Sequence, residues 1–147
     1  MERKSITEEE FLRRMRGSIG MIALDEDCVC LDDELWDCFG ILVTVDGETF
    51  EITSERTGED DFDFGYARIE DADERLWPLR IVSTKDEPIS FSGIMREDEF
   101  PTLMFKLGTR PLLITASKEL TVGISHYDEN GDWLDFDECG LLNDRLR

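Results

Sequence analysis

Lysine is scarce in this chain. Only Lys4, Lys85, Lys106 and Lys118 occur, beside twelve arginines and one histidine, His126. Binding to nucleic acid is driven by neutralising phosphates with Lys and Arg. The one basic stretch, Arg3 to Arg16, is offset by glutamates, so nucleic acid is excluded as a partner. Long apolar runs are missing as well. No window approaches the ~18 apolar residues that a bilayer span requires. Met1-Glu2-Arg3-Lys4 leads into acids and arginine and not into the apolar core of a secretory signal. No membrane partner is expected, and a cytoplasmic location is. Nor does the chain contain G-x-G-x-x-G, G-x-x-x-x-G-K-[ST] or G-x-S-x-G. No catalytic residue, no cofactor and no enzymatic activity is assigned.

The cysteines are few: Cys28, Cys30, Cys38 and Cys139. Cys28-Val29-Cys30 has a spacing shorter than zinc sites favour, and no second pair follows. A domain of 147 residues with a good core does not depend on disulfides. Reduced, buried thiols are the expectation. His126-x-Asp128-x-Asn130-Gly131, ending at Asp137, matches part of a calcium-binding loop. It lacks the acid at the first position and the bidentate Glu at the last, and its flanks read as strands. No metal site is assigned. His126 falls in step with Val122 and Ile124, which reads as a hydrogen-bonded, partly buried residue at the end of an apolar face.

What the chain does have is negative charge. Asp and Glu number 36 against 16 Lys and Arg, a formal net charge of −20. Residues 1–16 hold five basic and four acidic side chains, a net of +1. Residues 17–147 therefore hold 11 and 32, a net of −21. Repulsion on this scale works against a compact state and invites compensation from a basic partner, from cations or from a saline cytoplasm.

With 40% hydrophobic and 10% aromatic residues the chain has material for a core. One globular domain, 1–147, is expected. Thr7 to Glu10 fits a helical capping box, in which Glu10 reaches back to the Thr7 amide. Arg13, Arg14 and Arg16 suit the helix C-terminus, Gly17 offers a left-handed stop, and Phe11, Leu12 and Met15 make a narrow apolar stripe. Beyond Gly17 the pattern is short strands between acidic turns. Ile41, Val43 and Val45 alternate with Leu42 and Thr44, Asp46-Gly47 intervenes, and Phe50 and Ile52 alternate with Thr49, Glu51 and Thr53. That is a type I′ hairpin signal. Val122–Tyr127 and Trp133–Phe136 around Asn130-Gly131 read as a second hairpin. Further strands are predicted over 62–69, 79–83, 89–95, 103–107 and 112–117, while 32–39 and 70–77 stay open between helix and strand. The fold class is α+β: mostly antiparallel strands, as a sandwich, barrel or strongly bent sheet, with one N-terminal helix.

Two stretches interleave acids with aromatics: Asp61-Phe62-Asp63-Phe64 and Asp132-Trp133-Leu134-Asp135-Phe136-Asp137. Alternation on a strand explains Phe62, Phe64 and Phe136 as core. Trp133 shares its face with Asp135 and Asp137, which marks it as an exposed anchor for a partner. The candidate partner-binding residues are thus Asp60, Asp61, Asp63, Asp132, Trp133, Asp135 and Asp137. The function expected is occlusion of a basic protein, in the manner of an immunity protein or antitoxin. A housekeeping domain of a salt-adapted cell is the first alternative. A carboxylate- or metal-dependent hydrolase, with acids and His126 converging in a pocket, is the second.

Overall fold

The computed structural model describes residues 2–24, 29–31, 35–73, 79–82, 87–96, 100–116, 121–134 and 142–144. Among these residues lie one helix, α1 (Glu8–Arg14), and fourteen strands: β1 (Glu2–Ile6), β2 (Ile19–Leu24), β3 (Val29–Leu31), β4 (Leu35–Cys38), β5 (Ile41–Val45), β6 (Glu48–Arg56), β7 (Phe62–Glu70), β8 (Leu79–Val82), β9 (Ile89–Met95), β10 (Thr102–Leu107), β11 (Arg110–Ala116), β12 (Val122–Tyr127), β13 (Trp133–Leu134) and β14 (Leu142–Asp144). Their hydrogen-bonded order is β1-β7-β6-β5-β2-β9-β10-β11-β12-β4-β3, with β13 on β12, β8 on β2 and β14 on β8. The α+β class with an N-terminal helix holds.

Alternation explains why these segments are strands. Ile41, Val43, Val45, Phe50 and Ile52 turn inward and are buried, while Thr44, Thr49, Glu51 and Thr53 take the other face. Val45 pairs with Glu48, which leaves a two-residue turn. Asp46 (φ 49°) and Gly47 (φ 81°) supply the two left-handed residues that a type I′ turn needs.

The sheet folds over on itself. β11 packs against β7 and β12 against β6 without being their hydrogen-bonded neighbours. One leaf therefore holds β1, β7, β6 and β5, and the other holds β9 to β12. A single pair, Ile19 with Ile89, joins the leaves through β2 and β9. Both strands carry a register shift there or nearby: Gly20 is skipped between Ile19 and Met21, and Ser92 between Phe91 and Gly93. Bulges increase local twist and bend, which suits a sheet that must turn at this seam. Phe11, Ile22, Val43, Phe50, Phe105, Leu112 and Ile124 belong to the core enclosed between the leaves.

Helix α1 closes one side of that core. Thr7 Oγ1 accepts from the Glu10 amide at 3.1 Å, as a cap should. Glu10 does not reach back to Thr7; its carboxylate takes Arg13 and Arg14 instead. Phe11 is fully buried, stacked on Tyr66 at 4.2 Å and edge-on to Phe50 at 6.4 Å.

Several expectations need correction. β1, ahead of the helix, was not foreseen; its five residues are almost wholly exposed and carry no period-2 burial signal. Gly17 is not a left-handed stop. It is required because Asp46 comes close: a Cβ there would lie 2.1 Å from the Asp46 carboxylate, which accepts from Ser18 N at 3.1 Å. The Asn130-Gly131 hairpin is longer than two residues. Tyr127 pairs with Trp133, and Asp128 Oδ1 collects the amides of Asn130 (2.8 Å) and Asp132 (2.9 Å). The open region 32–39 contains strand β4. Cys38 is disulfide-bonded, against the reduced thiols expected. Cys28, Cys139 and Phe136 lie outside the described residues.

Candidate functional site

Register assigns the described hairpin turns to one of two rims. Val45 pairs with Ile19, Ile19 with Ile89, Ile89 with Leu107, Leu107 with Arg110, and Tyr127 with Trp133. The β5–β6, β10–β11 and β12–β13 turns thus share one rim. Arg56 pairs with Phe62 at the far end of β6, Thr102 with Met95, and Val122 with Cys38. The β6–β7 turn, Arg96 and Phe39 lie on the opposite rim.

This separates the predicted site residues. Asp60, Asp61 and Asp63 sit at the β6–β7 rim, whereas Asp132 and Trp133 sit at the other. They do not form one face. Asp60, Asp61 and Asp132 are exposed, and Trp133 is half-buried and engaged, not the free-standing anchor expected. Asp135 and Asp137 lie outside the described residues. The exposed large hydrophobic among the described residues is Phe39, at 60% exposure. It follows the disulfide-bonded Cys38 at the head of an apolar run, Cys38 to Val43. No periodic signal distinguished it from core.

The β6–β7 tip is the most concentrated acid among the described residues. Residues 55–63 carry Glu55, Glu59, Asp60, Asp61 and Asp63 against Arg56 alone, five acids to one base, a net of −4. The turn is rigidly tied: Thr57 N donates to Asp61 O at 2.8 Å, and Arg56 Nε donates to Gly58 O at 3.0 Å. Arg56 Nη2 donates to the Glu59 carbonyl at 2.5 Å. Arg56 therefore spends its donors on backbone carbonyls and not on carboxylates. Glu59, Asp60 and Asp61 make no ion pair among the described residues.

Beneath the tip is an open cleft of ≈ 290 Å³, lined by Ser5, Glu8, Glu55, Asp63, Tyr66 and Arg96 among others. Gly65 forms its floor, where Glu55 crosses so closely that a Cβ would lie 2.3 Å from Oε1. Arg96 enters from the end of β9 and bridges Asp63 at 3.0 Å and Glu8. Those bonds, from Asp63 first, raise the Arg96 pKa. Tyr66 donates to Glu8 at 3.3 Å, and burial first, then the charges of Glu8 and Asp63, push its phenol well above the ordinary value. The phenol therefore stays protonated and acts as a donor. The cleft is furnished to hold a cation, and Arg96 supplies one from within the chain.

His126 is elsewhere. It is fully buried on β12, and its pKa is lowered to about 4 by burial and by Arg110, with Glu87 opposing. It does not line this cleft. Asp128 is taken up by loop amides as an Asx turn. Among the described residues no group of three or more His, Cys, Asp or Glu is arranged to hold a metal ion. No described helix is long and apolar enough to cross a membrane. The chain matches no protein-family model, no curated protein and no solved structure.

Proposed function

We propose that this protein is a small acidic binding domain that occludes a basic protein, as an immunity protein or antitoxin does. The observation that carries the reading is the β6–β7 tip, where Glu59, Asp60 and Asp61 stand exposed with no ion pair among the described residues, while seven cations of the described chain are committed internally. Carboxylates left in this state steer a cationic partner, raising association rates by roughly 10–10³ at low salt. Asp63 is withdrawn from the proposed contact set because Arg96 already occupies it. Asp132 and Trp133 are withdrawn because they lie on the other rim.

A cytoplasmic location belongs to the same proposal. The disulfide at Cys38 is the observation that counts against it, since such bonds persist in oxidising compartments.

The test is association with a panel of small basic proteins, nuclease domains included, followed by stopped flow at low and high salt. A partner should bind with a salt-steep on-rate, and reversing Glu59, Asp60 and Asp61 to Lys together should slow association at least about tenfold. A panel with no salt-sensitive binder, or a triple reversal that leaves the on-rate unchanged, overturns the proposal.

A further inference from the structure

One aromatic ring stands in water on the rim that carries the acidic tip. Phe39 is 60% exposed, and among the described residues it is the exposed large hydrophobic. Its neighbours are not exposed. Cys38 is buried and disulfide-bonded, Gly40 is buried, and Ile41 is fully buried where β5 begins. Both ends of the short link between β4 and β5 are thus fixed in the core while its middle residue is held outward. A ring held in this way loses little freedom when a partner covers it.

The link also runs close to β6. A Cβ on Gly40 would lie 3.3 Å from Glu51 Oε2, which seats the residue next to Phe39 against that strand. Arg56, at the base of the tip, lies five residues beyond Glu51, roughly 17 Å along the strand. An interface of standard size covers roughly 800 Å² of each partner and is about 30 Å across. One partner can therefore touch Phe39 and the Glu59, Asp60 and Asp61 carboxylates together. Two other aromatics of this rim, Phe62 and Phe100, are half-buried and packed on each other at 6.4 Å. The fold already uses those rings, whereas most of Phe39 faces solvent.

We infer that Phe39 is the apolar anchor of the surface that binds the basic partner, and that the partner offers it an apolar pocket edged with lysine or arginine. The inference rests on the proposed capture of a basic protein and adds to it a contact that slows dissociation. Carboxylates on an exposed turn act mainly on the approach. An aromatic side chain desolvated within an interface governs how long the complex lasts. Charge selects the occupant. A second copy of this chain would set one tip of net −4 against another, and like charges brought face to face oppose that pairing.

Phe39→Ser should leave the denaturant midpoint unchanged, because the ring is mostly in solvent already. Against the tightest binder of the basic-protein panel, it should raise the dissociation rate about tenfold or more and leave the salt-steep association rate in place. Reversing Glu59, Asp60 and Asp61 to Lys should do the converse: association slows while dissociation changes by less than about threefold. A dissociation rate unmoved by Phe39→Ser, in a complex whose association still depends on the tip, overturns the anchor and leaves capture of a basic protein standing. A panel without a salt-sensitive binder removes both. A marked loss of stability in Phe39→Ser makes the ring a structural residue. Sedimentation of the free chain as a dimer that Phe39→Ser dissolves assigns the ring to a second copy. Either result also overturns the inference.

Discussion

The flank formed by β1, α1 and the end of β7 and the tip between β6 and β7 are built from similar side chains in opposite states. On the flank, Arg3 bridges Glu51 at 2.8 Å, Lys4 bridges Glu70 at 3.0 Å, and Arg14 bridges Glu48 at 2.6 Å. Arg68 joins Glu70 at 2.8 Å and Glu48 at 3.6 Å. Each of these carboxylates has a cation drawn from another element or the neighbouring strand. On the tip, the one arginine bonds to carbonyls and the Glu59, Asp60 and Asp61 carboxylates are exposed. The excess charge of the molecule is therefore not smeared evenly over the described surface. Cations have been placed where an edge strand and a short helix must be held to the sheet, and the tip is left anionic.

The largest expected effect comes from the flank's apolar attachment. Phe11→Ala should cost about 3–5 kcal/mol in denaturant unfolding, because a fully buried ring stacked on Tyr66 leaves a cavity. A cost under ~1 kcal/mol would mean that the helix is not part of the core. Next comes Arg68→Ala. Arg68 is half-buried, faces Lys4 across the strands and holds two glutamates, so a loss of about 1 kcal/mol is expected. No loss would reduce the flank network to ornament and erase its contrast with the tip.

A smaller, pH-dependent effect follows from Glu10 and Glu70. Hydrogen bonds from Arg13 hold Glu10 below the usual carboxylate range, and those from Lys4 do the same for Glu70. Depressed carboxylates contribute stability above their unfolded pKa and lose it as pH falls through the folded one. Glu10→Gln and Glu70→Gln should therefore lower stability near neutrality and converge on the parent chain at low pH, flattening the acid limb of the stability curve. An unchanged acid limb would show these pairs to be inert. Smallest of all, reversing Glu59, Asp60 and Asp61 to Lys should alter stability by no more than about 0.5 kcal/mol. A larger change would place the tip carboxylates inside the structural network and remove them as contacts for a partner.

Much of this was legible along the chain. The alternation of Ile41 to Val45 and Phe50 to Ile52 named the inward faces, and Asp46-Gly47 named the turn, because both depend on residues one pleat or one turn apart. The helix was legible from Thr7, Glu10 and Phe11. What could not be read were contacts across many residues. Gly17 looks like a helix stop until Asp46 is brought against it. β1 has no apolar side and is a strand only because β7 offers it an edge. Phe39 sits in an apolar run and is distinguished from core only by lying at a rim. Phe62 and Trp133 look alike as acid-flanked aromatic strand ends, yet the register places them at opposite rims.

Taken alone, the order of residues determined most of the strands after the helix, the Asp46-Gly47 turn and the strongly negative balance of residues 17–147, since each follows from local geometry or from counting. Only the tertiary structure decided which acids keep a counter-ion and which do not, and that His126 lies under Arg110 instead of beside the acids. Those outcomes depend on the accumulated register of pairings between strands far apart in sequence, where a shift of one residue would turn each side chain of a strand to the other face.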